Sequence, residues 1–377
     1  MQVCTRCVLP ETYPGITFDE NGVCNICHTF DAGEKEREPE RFQSEEEVKA
    51  ALQKYKNLGR KYDLLVPLSG GVDSCFTLIR IVEDFGLKPM VFHSDHGWDD
   101  PIATRNVEKL CKELDVDLLI WKNELKFMRR LFKIFNESTE PDVSPCFPCG
   151  NMLYLNGLEI AANFNVPLVI NGYSKGQTAM MHDEKKARDW YSKMINVILD
   201  SGDTDFLDQF TKKWAVLNQQ VIYQDRRDLE KPVDPEKILF IPFFVFKFYK
   251  TDKEELKKIC KARFDWEPLE EGSGFPARTT NCEMIWLNSV RDMKIRKYTH
   301  YHDEYSTIVR AGEMTREQAL EDLELDPPPG LLEKLAKDIN FDLKYLDTVK
   351  PKKVEPRTKF VKAESKMSKE EDDDFSF

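Results

Sequence analysis

Four short, continuous apolar runs constrain this chain most. They are Asp63-Leu64-Leu65-Val66-Pro67-Leu68, Pro89-Met90-Val91-Phe92-His93, Asp117-Leu118-Leu119-Ile120 and Pro167-Leu168-Val169-Ile170-Asn171-Gly172. Each is too short for a helix and lacks the apolar–polar alternation of a half-solvated strand. Strands of this kind are covered on both faces, as in parallel sheets. The intervening stretches 72–86, 102–114 and 150–164 carry helical spacing. The expected fold is therefore α/β, a doubly wound parallel sheet. No apolar run approaches the ~20 residues that cross a membrane.

The first run ends in Ser69-Gly70-Gly71-Val72-Asp73-Ser74, between a strand and a helix. Two glycines let the backbone approach an anion and offer unobstructed N–H groups. The helix start adds its positive dipole end. Ser69 and Ser74 can donate to phosphate, whereas Asp73 meets phosphate favourably only through a bridging Mg²⁺. The lysine of the G-x-x-x-x-G-K-[ST] loop is missing. The string resembles the pyrophosphate loop of the PP-loop (N-type) ATP pyrophosphatases. That resemblance implies an adenine nucleotide alpha hydrolase-like fold, ATP bound by residues 69–74, and adenylation of a substrate oxygen with release of pyrophosphate. His93-Ser94-Asp95 would then lie beside the adenosine, or would simply cap their strand. Asn171-Gly172-Tyr173-Ser174-Lys175-Gly176-Gln177 follows the fourth run, at a strand end where open α/β sheets bind ligands. Within it Gly172 is a candidate ATP contact. Lys175 could neutralise phosphate charge, or be a plain surface lysine.

Ten cysteines in a chain with no secretory signal at Met1-Gln2-Val3-Cys4 call for a reason other than disulfides. A cytoplasmic location is expected. Cys4-x2-Cys7, sixteen residues, then Cys24-x2-Cys27 fits a structural zinc spacing, four thiolates closing a tetrahedron around Zn²⁺. Residues 1–30 are expected to be a zinc-ribbon-like module folded by its metal. A second pair lies in Ser144-Pro145-Cys146-Phe147-Pro148-Cys149-Gly150, a shaped loop before a predicted helix whose start would favour thiolate. With Cys282 the pair could hold a [4Fe–4S] cluster with one iron open. Alternatively Cys146 and Cys149 bind zinc with other ligands, act as a redox pair, or are merely buried. Cys75, Cys111 and Cys260 read as core packing.

The remaining organisation is coarser. Residues 31–60 read as a linking helix, with helical spacing at Val48, Leu52 and Tyr55. Residues 61–182 would form the ATP-binding domain. Residues 183–348 would form a helical region that completes the site, with an aromatic-rich extended or core segment from Ile238 to Tyr249. Residues 349–377 would be a disordered acidic tail. The formal charge of -12 disfavours nonspecific nucleic-acid binding.

Two segments carry a further resemblance. Cys4-Thr5-Arg6-Cys7-Val8-Leu9-Pro10 with Ile16-Thr17-Phe18-Asp19-Glu20-Asn21-Gly22-Val23-Cys24-Asn25-Ile26-Cys27, and Tyr305-Ser306-Thr307-Ile308-Val309-Arg310-Ala311-Gly312-Glu313-Met314-Thr315-Arg316-Glu317, resemble the N-acetyl sugar amidotransferase family. The likeness passes through Ser69–Ser74 and His93-Ser94-Asp95-His96-Gly97-Trp98 and spans most of residues 1–345. It implies conversion of an acetamido group on an N-acetyl sugar to an acetamidino group. ATP would activate the amide oxygen, and ammonia from a separate glutaminase subunit would displace AMP. The Cys146/Cys149 pair departs from that pattern. With Cys282 it is similar to PP-loop tRNA thiolases, in which sulfur is the nucleophile and tRNA the partner. Lys126, Arg129, Arg130 and Lys133 could then touch RNA, or form a solvated helix face. A non-catalytic ATP-binding scaffold and a homo-oligomer also remain open.

Overall fold

The computed structural model describes residues 1–36, 42–56, 58–174, 177, 184–214, 221–223, 229–234, 236–246, 253–268 and 281–350. Lys175 and the tail beyond residue 350 lie outside them. Six strands form one all-parallel sheet: β1 (Leu64–Pro67), β2 (Pro89–Asp95), β3 (Asp117–Lys122), β4 (Leu168–Asn171), β5 (Val221–Tyr223) and β6 (Lys237–Pro242). Their order is β3-β2-β1-β4-β6-β5.

The helices are α1 (Asn25–Glu36), α2 (Glu45–Leu52), α3 (Val72–Ile79), α4 (Pro101–Glu113), α5 (Leu125–Glu137), α6 (Cys146–Asn163), α7 (Glu184–Ser201), α8 (Thr204–Trp214), α9 (Lys253–Phe264), α10 (Ile285–Ile295), α11 (His300–Arg310), α12 (Arg316–Asp322), α13 (Leu331–Asp338) and α14 (Tyr345–Thr348). No helix among the described residues is long and apolar enough to cross a membrane.

The alternation along each strand sorts the core. Leu64, Val66, Val91, Leu168 and Ile170 face one side and pack with residues of α2, α3, α4 and α9. Leu65, Phe92, Val169 and Phe240 face the other, against Leu158, Ile160 and Ala161 of α6. The sheet is thus doubly wound, as its unbroken apolar strands require. A third apolar cluster joins α5, α7, α8, α10, α11 and α13, a helical body with Trp98 and Val8 among its members.

The sheet draws two strands from beyond residue 182, in the stretch expected to be helical. β6 is itself a continuous apolar run, Ile238-Leu239-Phe240-Ile241, and pairs with β4 from Leu168↔Leu239 to Asn171↔Pro242. β5 has three residues, too few to stand out from charged surroundings. The linking region holds α2 and a following 3-10 turn, and its Val48, Leu52 and Tyr55 are all buried on the sheet's α3 side.

The chain reverses its winding between β1 and β4: β2 and β3 lie to one side of β1, β4 and β6 to the other. Ligands of open α/β sheets bind outside the carboxyl ends of strands at such a switch point. The loop after β1 and the segment after β4 both end there.

Candidate functional site

The loop is built by gripping its carbonyls from behind. The Ser69 carbonyl accepts from Asn281 Nδ2. The Gly70 carbonyl accepts from Trp266 Nε1 at 3.0 Å and Asn106 Nδ2 at 3.4 Å. The Gly71 carbonyl accepts from Ser74 Oγ at 3.0 Å. In a trans peptide the N–H points opposite to its C=O. The amides of Gly70, Gly71 and Val72 therefore turn away from these partners, and the Gly71 amide donates to Ser69 Oγ at 3.4 Å. Gly71 precedes the first turn of α3, and Asp73 lies within that turn. Ser69 Oγ and Ser74 Oγ stand 3.1 Å apart.

Two glycines are fixed by close approach. Gly70 has φ +81°, and a Cβ there would lie 2.1 Å from the Ala103 carbonyl oxygen. A Cβ at Gly172 would lie 2.5 Å from the Ser74 Cα. Gly172 thus lets β4's end pass the start of α3, which is a packing reason for the residue.

The residues at the carboxyl end of β2 support the same corner. His93 is buried; its Nδ1 lies 2.9 Å from the Leu68 carbonyl, and its buried Nε2 has no hydrogen-bond partner among the described residues. Nδ1 must carry the proton in that bond, which leaves Nε2 an acceptor in the neutral ring. Ser94 Oγ accepts from Asn123 Nδ2 at 2.9 Å, and Asp95 Oδ1 accepts from Gly97 N at 2.8 Å. Ser94 thus ties the end of β2 to the segment after β3, and Asp95 shapes the turn after β2.

Cys146 and Cys149 sit in the first turn of α6, not in a loop before it. Pro148 does not prevent this, because the first-turn N–H it lacks has no intrahelical partner anyway. The structure brings Cys282 to the pair. All three are partly exposed and pack against the same apolar cluster. Asn288 Nδ2 donates to Cys146 Sγ at 3.2 Å. Cys282 bridges Asp99 backbone to backbone.

The helix start does not make these sulfurs thiolates. Burial, then the Asp292 charge, pushes the Cys146 thiol up to about 12. Burial pushes Cys149 and Cys282 up as well, with the Cys146 and Asp99 charges adding to it at Cys149 and the Cys149, Asp99 and Cys146 charges at Cys282. Three soft sulfur donors are of the kind that iron or zinc accepts. Among the described residues they do not form a donor set within 4.8 Å of one another, as the amino-terminal four do. Sulfurs on one ion stand only ~3.8 Å apart. A cluster, where each thiolate binds its own iron, tolerates wider spacing.

Asp99, Asn106, Trp266 and Asn281 carry no local signal in the sequence that marks them as part of this site. Burial above all, with the Asp95 charge and against His93, holds the Asp99 carboxyl up at about 7. Burial holds the neighbouring His96 down at about 4, with its Nε2 3.3 Å from Asp99 Oδ1. The readable signal there was Asp100-Pro101, a cap followed by proline, which opens α4.

Cys4, Cys7, Cys24 and Cys27 are fully buried, with their four sulfurs within 4.8 Å of one another. The Cys4–Cys27 and Cys7–Cys24 separations are 4.0 and 3.8 Å. Four sulfurs at ~2.3 Å from one Zn²⁺ would stand ~3.8 Å apart. The backbone amides of Arg6, Cys7 and Cys24 point at Cys4 Sγ from 3.3–3.4 Å, as donors to a thiolate do.

On α5 the basic string is divided among partners. Arg130 pairs with Asp203, and Lys133 lies 3.8 Å from Glu137, so these two charges are tied within the protein.

No family model matches the chain. An uncharacterised protein of Methanocaldococcus jannaschii is 24% identical over 172 residues, covering 45% of this chain and 58% of that protein. A tRNA(Ile)-lysidine synthase of Caldanaerobacter subterraneus subsp. tengcongensis is 29% identical over 104 residues, 26% of this chain and 22% of that enzyme. The chain thus matches less than two thirds of either relative's length. Among solved structures, a U34-tRNA thiolase of Methanococcus maripaludis with its [4Fe–4S] cluster has TM-score 0.34 at 15% identity, over 86% of this chain and 90% of that one. An NH3-dependent NAD synthetase of Campylobacter jejuni has TM-score 0.33 at 14% identity, over 82% and 96%.

Proposed function

We propose that the chain is an ATP-dependent, AMP-forming enzyme of the PP-loop kind that transfers sulfur. The observation that carries this reading is that Cys282, one residue from the Asn281 that holds the Ser69 carbonyl, lies near enough to Cys146 and Cys149 for their charges to act on it. Residues 69–74 would cradle the triphosphate, and Asp73 would hold Mg²⁺. A carbonyl or amide oxygen of the acceptor attacks the α-phosphorus; the new P–O bond forms as the α–β bond breaks and pyrophosphate leaves. Sulfide then attacks the activated carbon, and AMP leaves with the oxygen. When bound, a [4Fe–4S] cluster supplies an open iron for the transferred sulfide. Lys175 would neutralise phosphate charge as pyrophosphate departs. The amino-terminal four cysteines would hold structural zinc.

A second reading is favoured by the contacts between two segments. The two segments that resemble N-acetyl sugar amidotransferases form one unit. Arg316 Nε donates to the carbonyls of Cys4 and Cys7 at 3.0 Å each, and Val8 N donates to Ser306 Oγ at 3.3 Å. Under this reading the acceptor is an N-acetyl sugar and the nucleophile is ammonia from a glutaminase partner.

Anaerobic purification with iron, sulfide and zinc analysis decides between them. Several irons and sulfides per chain, lost in Cys146→Ala, support sulfur transfer. One zinc and no iron after reconstitution sinks it in favour of nitrogen. Asp73→Ala should abolish AMP and pyrophosphate formation with the fold intact; an enzyme indifferent to that change does not use this loop. Nucleotide binding without any turnover would leave only a scaffold.

A further inference from the structure

The loop and the cysteines meet through one residue. Asn281 Nδ2 donates to the Ser69 carbonyl, while its own carbonyl accepts from Asp100 N at 2.7 Å. The next residue, Cys282, bridges Asp99, and Glu283 N donates to the Trp98 carbonyl at 2.9 Å. Residues 281–283 are thereby laced to 98–100 as a short antiparallel ladder, with its end tied to the loop.

The peptide that Asn281 grips is the one a nucleotide would tilt. Ser69 C=O and Gly70 N–H share one rigid plane. When Gly70 N–H turns to a phosphate, the Ser69 oxygen must swing by the same angle. The following carbonyl, of Gly70, is anchored by Trp266 and Asn106, so the swing is confined to the Ser69–Gly70 peptide. Its partner there is Asn281.

We propose that Asn281 is a positioning residue that couples nucleotide at the loop to the placement of Cys282. It would register the sulfur against the activated carbon only once ATP is seated. This rests on the proposed sulfur transfer for its purpose, but its test does not need the acceptor.

Hydrogen exchange read by mass spectrometry, on the full chain with and without Mg²⁺ and α,β-methylene ATP, tests it. With analogue bound, exchange of the Asp100 and Glu283 amides should slow about fivefold or more, the low end of measurable coupling. In Asn281→Asp, which keeps the size and loses the donor, the slowing should fall below about twofold at saturating analogue. Asn281→Ser, with a shorter donor, should retain part of it. Equal slowing in Asn281→Asp means that the nucleotide merely shields the ladder, and overturns the proposal. Analogue binding with unchanged exchange in the natural protein overturns it too, and decides the matter even if the variants do not fold. Failure of the natural protein to bind the analogue overturns the nucleotide reading itself, and the coupling with it.

Discussion

At position 70 a methyl group would meet the Ala103 carbonyl at 2.1 Å, on a backbone with φ +81°. At position 71 it would meet nothing closer than Ser69 Oγ at 3.4 Å, on an ordinary φ of -71°. The two glycines are adjacent and look alike in the sequence, but they serve different ends. Gly70→Ala should destabilise by about 1–3 kcal/mol, from strain plus overpacking. Gly71→Ala should stay within about 0.5 kcal/mol of the natural protein in urea unfolding. Any loss of ATP binding in Gly71→Ala then reports phosphate approach alone. Equal destabilisation of the two variants would refute this division. The six-residue string was legible because its chemistry is local. Its walls were not, since Ala103, Asn106, Trp266 and Asn281 reach it from distant segments. The cysteine ionisation failed for the same reason: a helix start is visible in sequence, but the burial that outweighs it is not.

α10 and α11 carry charge where a helical pattern alone would place apolar side chains. Arg291 is fully buried on α10. Its guanidinium donates to the carbonyls of Val143, Ser138 and Glu140 at 2.9, 2.6 and 3.0 Å, and pairs with Asp292 at 3.0 Å. It thereby ties down the segment that delivers Cys146. Removing one partner of a buried pair costs about 3–5 kcal/mol, so Arg291→Ala should lose stability on that scale in denaturant unfolding. A loss below about 1 kcal/mol would show the carbonyls finding other donors. On α11, Thr299 N donates to His302 Nδ1 at 3.1 Å, closing a capping box. The acceptor nitrogen must be unprotonated, and burial holds His302 down at about 4. A base with a depressed folded pKa contributes stability above its unfolded value near 6.5, and this contribution fades as pH falls towards 4. His302→Gln, the usual partner in such a box, should make the stability profile shallower between those values, with the buried His96 and His300 keeping part of the slope, while changing little at pH 8. An unchanged profile would place the acid sensitivity elsewhere. Periodicity reads as apolar faces, so a helix that buries an arginine or caps itself with a histidine is misread from sequence.

The four apolar runs were enough to foresee a parallel, doubly covered sheet, because each strand's hydrophobicity is set by its own two faces. They missed β5, whose three residues owe their place to β6 rather than to their own pattern. The amino-terminal module poses the same question at the largest scale. Its cysteine spacing was legible, but its attachment was not: Arg316, three hundred residues away, clasps the carbonyls of Cys4 and Cys7, and Ser306 holds Val8. The module's own apolar residues are few, with Leu9 and the four cysteines as its buried core. If the four cysteines hold zinc as proposed, that metal would supply most of the module's folding energy, roughly 10–16 kcal/mol in comparable structural zinc sites. Removing that metal should unfold residues 1–27 and release the start of α12, while the sheet, which has separate cores on both faces, stays folded. Hydrogen exchange after chelation at neutral pH should show amides 3–27 and 316–319 losing protection and those of β1, β2 and β4 retaining it. Global loss of protection would make the module part of the core rather than a clasp on it. Unchanged protection at 3–27 would mean that Arg316 and Ser306 hold the module without any ion.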